Sequence, residues 1–240
     1  MGINNPDILY EDNHLIAVNK PFGMPSQGDI SGDQSVFDWV KEYIRHTYNK
    51  PGNVYTGLLH RLDRPTGGVL LLAKTSKAAS RVSKAFQQRM VKKTYLAITN
   101  QIPAQAEDVL THFVKKLPNK NIMRAYHTQV SESKPATLTY KVLHTVGQAA
   151  LIEVQPKTGR KHQIRVQLAS INCPIRGDVK YGKTSANFDK SIALLARSLE
   201  LQHPTKKEPL IITAPIPENK IWHPFNKGRS QSITPENRKH

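Results

Sequence analysis

The chain is constrained above all by a succession of strand-like segments with few helices between them. "KKTYLAITN" (92–100), "DVLTHFVKKL" (108–117), "PATLTYKVLHTV" (135–146), "AALIEVQP" (149–156), "IALLARSLELQ" (192–202) and "EPLIITAP" (208–215) read as strands rich in β-branched and apolar residues. Consecutive strands without a helix after each one exclude a doubly wound parallel fold. They predict an α+β domain built on a mixed, mainly antiparallel sheet. No repeat of solenoid length is present.

The first half fits the same plan. "ILYEDNHLIAVNKP" (8–21) reads as one or two short strands that stop at Pro21, and "FGMPSQGDISGDQ" (22–34) as a loop. Ser35 then caps a helix running to about residue 48, with Val36, Trp39, Val40, Tyr43 and Ile44 on one face. "YTGLLH" (55–60) and "VLLLAK" (69–74) are expected strands. Residues 76–90 form a basic amphipathic helix with Ala79, Val82, Ala85 and Phe86 towards the core, and 159–172 a second helix placing Ile164, Leu168 and Ile171 together. The folded unit is expected to span residues 1–225. Residues 226–240, polar, basic and without apolar periodicity, are expected to form a loose tail.

Charge narrows the class of partner. The 35 Lys and Arg against 18 Asp and Glu leave a formal +17 on 240 residues. Such a surplus on a folded domain favours polyanions, because neutralising phosphates releases condensed counterions. A generally basic protein with no such partner, or one drawn to anionic membranes, is the alternative. The single cysteine, Cys173, cannot make an internal disulfide, and no apolar run approaches the ~20 residues that span a bilayer. A soluble cytoplasmic protein is expected. There is no P-loop, dinucleotide fingerprint, CxxC or HExxH, and the 10 histidines show no ligand spacing. The sequence therefore predicts neither a metal nor an organic cofactor.

Two segments stand out. In "HRLDRPTGG" (60–68), Asp63 lies between Arg61 and Arg64, Pro65 fixes the backbone, and Gly67 and Gly68 permit close approach before the next strand. An acid on such a loop is placed to act on a ligand; it equally suits a turn whose Asp caps amides while its arginines are solvated. In "TGRKHQIRVQLASINCPIRGDVKYG" (158–182), Arg160, Lys161, His162 and Arg165 gather at a helix start, where phosphate is attracted. Arg165 is positioned to turn inward towards a carboxylate, and "GD…YG" reads as a turn. A solvated basic face is the plain alternative.

Together with "LYEDNHLIAVNKPFGMPSQ" (9–27), these blocks resemble, in order, the three sequence blocks of the RluA family of RNA pseudouridine synthases. The resemblance covers nearly the whole folded chain. It departs where Gly67 replaces a customary Ser, expected to be tolerated, and where Leu195 replaces a customary His. The first block leaves no space ahead of it for the small N-terminal RNA-binding domain many relatives carry, so RNA choice is expected to rest with the catalytic domain.

The resemblance implies conversion of uridine in RNA to pseudouridine without metal or cofactor. The C1′–N1 bond breaks, the uracil turns, and a C1′–C5 bond forms. It assigns Asp63 as the carboxylate acting at the sugar, by attack on C1′ or by removal of the C2′ proton. Arg165 becomes its ion-pair partner. Tyr95, which by itself reads as a core aromatic, becomes the residue against the uracil. Arg61 is expected at the place vacated by an extruded nucleotide. Arg61, Arg64, Arg160, Lys161, His162 and, on the loop 115–127, Lys115, Lys116 and Lys120 are the expected RNA contacts. The substrate would be rRNA or tRNA and the protein a monomer. A non-catalytic RNA-binding protein on the same fold, or a nucleoside glycosidase, are the competing readings.

Overall fold

The two most apolar strands show how the sheet is made. In a computed structural model describing residues 5–118, 120–182, 185–187 and 191–226, β2 (Leu15–Lys20) pairs antiparallel with β4 (Gly67–Ala73). Both are buried on both faces, which is why they read as unbroken apolar runs. The two-residue period then sorts their side chains. Leu15, Ala17, Val69 and Leu71 enter one core, whereas Ile16, Val18, Leu70 and Leu72 enter a second on the opposite face.

A helix closes each side. α1 (Val36–Thr47) brings Val36, Val40 and Ile44 to the second core, and its N-cap Ser35 accepts the Asp38 amide. α2 (Ser76–Gln87) brings Ala78 and Val82 to the first, with Thr75 as cap. Each fully buried Leu or Ile contributes roughly 1.5–3 kcal/mol, so this sandwiched pair anchors both cores.

The remaining elements are β1 (Asp7–Glu11), β3 (Gly57–Leu58), β5 (Lys92–Thr99), β6 (Glu107–Lys116), β7 (Met123–Tyr126), β8 (Lys134–Val146), β9 (Ala149–Pro156), α3 (Gln163–Ser170), β10 (Leu194–Gln202), β11 (Pro209–Thr213) and α4 (His223–Asn226). The strands form one sheet in the order β1-β2-β4-β10-β5-β9-β8-β6-β7, with β11 on β10 and β3 on β4. Among the described residues, only β4 and β10 run parallel, and every other pairing is antiparallel. The expected α+β class with a mixed, mainly antiparallel sheet is what forms.

Differences from the sequence reading are local. The strand expected over 55–60 shrinks to Gly57–Leu58, because the chain leaves the sheet to form the Asp63 loop. Residues 115–127, expected as a loop, contain β7, whose four residues are too few for a periodic signal. The helix over 159–172 begins only at Gln163, because His162 takes a left-handed conformation at φ 53°. Asn226, expected in the tail, ends α4 beside buried Phe225; residues 227–240 lie outside the described residues. Leu195 is buried in β10 between Gly67 and Leu96.

Candidate active site

The Asp63 loop is held by the loop that follows β2. Ser26 Oγ donates to the Leu62 carbonyl at 2.8 Å and accepts the Leu62 amide at 3.0 Å. The Gly23 amide donates to the Arg64 carbonyl at 2.9 Å. Lys20, 1% exposed, donates from Nζ to the carbonyls of Pro21 (2.9 Å), Met24 (2.5 Å) and Arg64 (3.1 Å). Burial pulls the Lys20 pKa down to about 7, opposed by the nearby Asp63 charge. The first and second sequence blocks are thus two halves of one cradle, and the Asp63 main-chain carbonyl closes the turn by accepting the Thr66 amide at 2.9 Å.

Glycines set how closely that cradle meets the rest of the sheet. Gly68 has φ +108°, and a Cβ there would stand 2.3 Å from the Ala196 carbonyl oxygen. Only glycine lets β4 approach β10 at this register, and β10 also pairs with β5, the strand of Tyr95. At Gly67, a Cβ would come within 2.7 Å of the Phe22 ring. The missing serine of the resemblance is therefore replaced in space by Phe22.

Asp63 itself faces α3. Arg165 Nη1 donates to Asp63 Oδ2 at 3.0 Å, while Nε and Nη2 grip Asp178 Oδ2 and Oδ1 at 2.7 and 2.8 Å. Burial opposes the Arg165 charge, but the hydrogen bonds and charges of Asp178 and then Asp63 prevail and raise its pKa. Asp178 is 1% exposed and also accepts the Lys180 amide at 3.1 Å. One guanidinium thus joins a buried, fully engaged carboxylate to one that opens onto a cleft. This division gives the outer carboxylate a fixed orientation while leaving it an oxygen for a ligand.

His162 lies on the same wall, with Nε2 3.8 Å from Asp63 Oδ2 and Nδ1 2.7 Å from Tyr181 Oη. Tyr181 Oη also accepts the Met123 amide at 2.8 Å, which ties this wall to the start of β7. Burial, with Arg165, Lys180 and Lys161, brings the His162 pKa down to about 4 against the pull of Asp63. His60 is a structural residue: its Nε2 accepts the Leu71 amide at 3.0 Å, its ring stacks on Phe86, and burial and Lys93 lower its pKa to about 3.

The cleft in front of Asp63 has a volume of about 1150 Å³. Asp63, Tyr95 and Arg165 all line it, as do Arg61, Arg64, Arg160, Lys161 and His162. Burial first, and the Asp63 charge second, raise the Tyr95 pKa, so its hydroxyl keeps its proton. Arg64 is committed to the protein: it donates to the Gly23 carbonyl at 2.9 Å and pairs with Asp33 and Asp29, tying down the loop that carries exposed Ile30. Arg160 donates to the Pro135 carbonyl at 3.0 Å.

Lys115, Lys116 and Lys120 lie on the β6–β7 hairpin and do not line the cleft; Lys115 pairs with Glu132 at 3.1 Å. Asp178, Tyr181 and Lys20 lie within the blocks that carry the resemblance, but the sequence reading gives them no role at the site. The available signal was an acid inside an otherwise basic block, "IRGDVKYG", which reads as an ordinary turn.

A carboxylate bound by a buried arginine shares a basic cleft with a protonated tyrosine, an arrangement suited to acid–base chemistry on an anionic substrate. The family comparison makes this specific: the RNA pseudouridylate synthase model matches residues 14–170, and the chain belongs to that family. It is an isomerase that converts uridine to pseudouridine in RNA, with relatives of the RluA type.

It is 34% identical over 231 residues to tRNA pseudouridine synthase C of Salmonella typhi, covering 88% of this chain and 86% of that one. Identity to ribosomal large subunit pseudouridine synthase D of Nitrosomonas europaea is 33% over 223 residues, covering 88% of this chain but 62% of the relative. The solved structure titled human RNA pseudouridylate synthase domain containing 4 superposes with a TM-score of 0.74 at 28% identity, covering 88% of each chain. Among the described residues, no helix is long and apolar enough to cross a membrane.

Proposed function

We propose that Asp63 is the carboxylate that acts at the ribose of an extruded uridine, that Arg165 orients it, and that Tyr95 lies against the uracil and assists removal of the C5 proton. The observation that carries this reading is the Asp63–Arg165–Asp178 chain, which spends two of the arginine's donors on a buried carboxylate and one on the carboxylate facing the cleft. The detached base has to stay in place while it turns, and an aromatic face in an enclosed site serves that need. Extruding a nucleotide costs a few kcal/mol, offset by contacts around the vacated position, for which Arg61 is assigned.

Arg160, Lys161 and His162 at the cleft, and Lys115, Lys116 and Lys120 on the hairpin, would hold the RNA backbone, which positions the substrate without reading its sequence. For Arg64 the ion pairs with Asp29 and Asp33 favour a role in shaping the rim. The catalytic unit is taken as residues 1–226, followed by a basic tail, acting as a cytoplasmic monomer. The substrate is a structured RNA, and the relatives named for tRNA and for the large ribosomal subunit supply the two candidates.

The test is tritium release from RNA labelled at uridine C5 and extracted from cells lacking the gene, with tRNA and rRNA fractions assayed separately. Wild type is expected to release tritium from one fraction without freeing uracil, and Asp63→Asn to release none. Full activity in Asp63→Asn would overturn the assignment, and free uracil would indicate a glycosidase.

A further inference from the structure

We infer that Lys93 is an anion site within the cleft, built to take a phosphodiester oxygen next to the target uridine. It rests on the reading of the cleft as the uridine site. Lys93 and Tyr95 stand two residues apart on β5, so both project from the same face of the strand, and both line the cleft. Their spacing along the strand is about 6.6 Å. A uracil against Tyr95 has its ribose between itself and its own phosphates, and that span carries a phosphate to the neighbourhood of Lys93.

The electrostatic state of Lys93 points the same way. Its Nζ makes one long contact, 3.4 Å to the Thr158 carbonyl, and no carboxylate oxygen lies within ion-pair distance among the described residues. Lys92, Lys74 and Lys20, by contrast, are settled. Lys92 pairs with Glu200 at 3.0 Å, Lys74 with Glu11 at 2.6 Å, and Lys20 donates to three carbonyls. Burial pushes the Lys93 pKa down, which marks a cation short of counter-charge.

The surroundings leave room for an anion. Gly159 stands beside the ammonium, and even a Cβ there would reach only to 3.8 Å from Nζ. The same cleft contains the Asp63 carboxylate, which repels incoming phosphate. A cation in the partly desolvated wall offsets that repulsion where solvent screening is weakest. Neither Arg61 nor Lys161 duplicates this, since both side chains stand out in solvent at the rim.

Binding measured without turnover tests the inference separately from the reaction. In an Asp63→Asn background, filter retention of the tRNA and rRNA pools is followed across a salt series. A charge-assisted hydrogen bond of about 1.5–3 kcal/mol corresponds to a roughly 10–150-fold weakening in Lys93→Met. The slope of log affinity against log salt should fall by about 0.7–0.9, one counterion's worth.

Lys93→Arg should keep the slope, and Lys93→Gln should behave as Lys93→Met. Thermal melting of each variant confirms that folded protein is compared. Unchanged affinity and slope in Lys93→Met, or a Lys93→Arg as weak as Lys93→Met, would overturn the site. Failure of wild type to release tritium would instead remove the catalytic reading and leave the binding result standing.

Discussion

Asp178 gives the sharpest prediction, because it touches no substrate and yet holds the arginine that holds Asp63. In Asp178→Asn the shape is kept and the charge is lost. If the new amide oxygen accepts from Arg165 Nη2 and the Lys180 amide, as Asp178 Oδ1 does now, its NH2 group must face Arg165 Nε, donor against donor. The flipped orientation loses more. At least one charged hydrogen bond therefore disappears in a site 1% exposed, and Arg165 is left with Asp63 as its remaining counter-ion.

Removing one partner of a buried pair outright costs about 3–5 kcal/mol, so the isosteric change should cost about 2–4 kcal/mol. For a chain of this size that lowers Tm by roughly 4–16 °C, at about 2–4 °C per kcal/mol. A loosened Arg165 lets Asp63 drift, and misplacement of about 1 Å is worth up to about 100-fold in rate, so kcat should fall about 10–100-fold with KM little changed. Asp63→Asn should show the opposite balance. Its side chain is 27% exposed with a single arginine contact, so turnover is abolished while Tm moves less. Differential scanning calorimetry and tritium-release kinetics on the two variants decide the matter. An Asp178→Asn protein with wild-type Tm and kcat, or a larger Tm loss in Asp63→Asn, would refute the reasoning.

Two further predictions concern the frame. Burial, with the nearby Lys93 charge, lowers the folded His60 pKa to about 3 against 6.5 unperturbed, and protonating Nε2 would also end its acceptance of the Leu71 amide. As pH falls from 6.5 towards 3, the unfolded chain binds the extra proton first. Stability should therefore drop by up to about 1.4 kcal/mol per pH unit from this residue, flattening below its folded pKa. Urea unfolding of wild type and His60→Gln at several pH values reads the difference, and parallel curves would exclude it. Gly68→Ala should cost at least about 2 kcal/mol and most of the activity, because φ +108° and the Ala196 carbonyl at 2.3 Å force β4 from β10. Gly67→Ala keeps an ordinary backbone conformation and meets first the side-chain ring of Phe22 rather than backbone, so it should cost less; equal melting temperatures for the two would contradict this.

What was legible in the sequence was whatever is written locally. The unbroken apolar runs "LIAV" and "VLLLA" and the helical spacing of Val36, Val40 and Ile44 specify elements through neighbours a few residues apart. Ordered blocks around Asp63 and Arg165 specify the family, and they bring both residues to the cleft where the structure finds them.

What only the tertiary structure decided depends on partners far apart in sequence. That Arg165 is shared between Asp63, 102 residues earlier, and Asp178, 13 residues later, follows from how α3 lands on the sheet. Arg64 looks like a free basic residue until the loop after β2 folds back and presents Asp29 and Asp33 to it. Lys20 reads as the polar end of a strand and proves to be a buried peg, because the carbonyls it fills belong to two loops that meet only in the fold. Charge in a sequence states what a side chain carries; whether it faces a ligand or another part of the chain is settled when desolvation and distance are fixed, and packing fixes both.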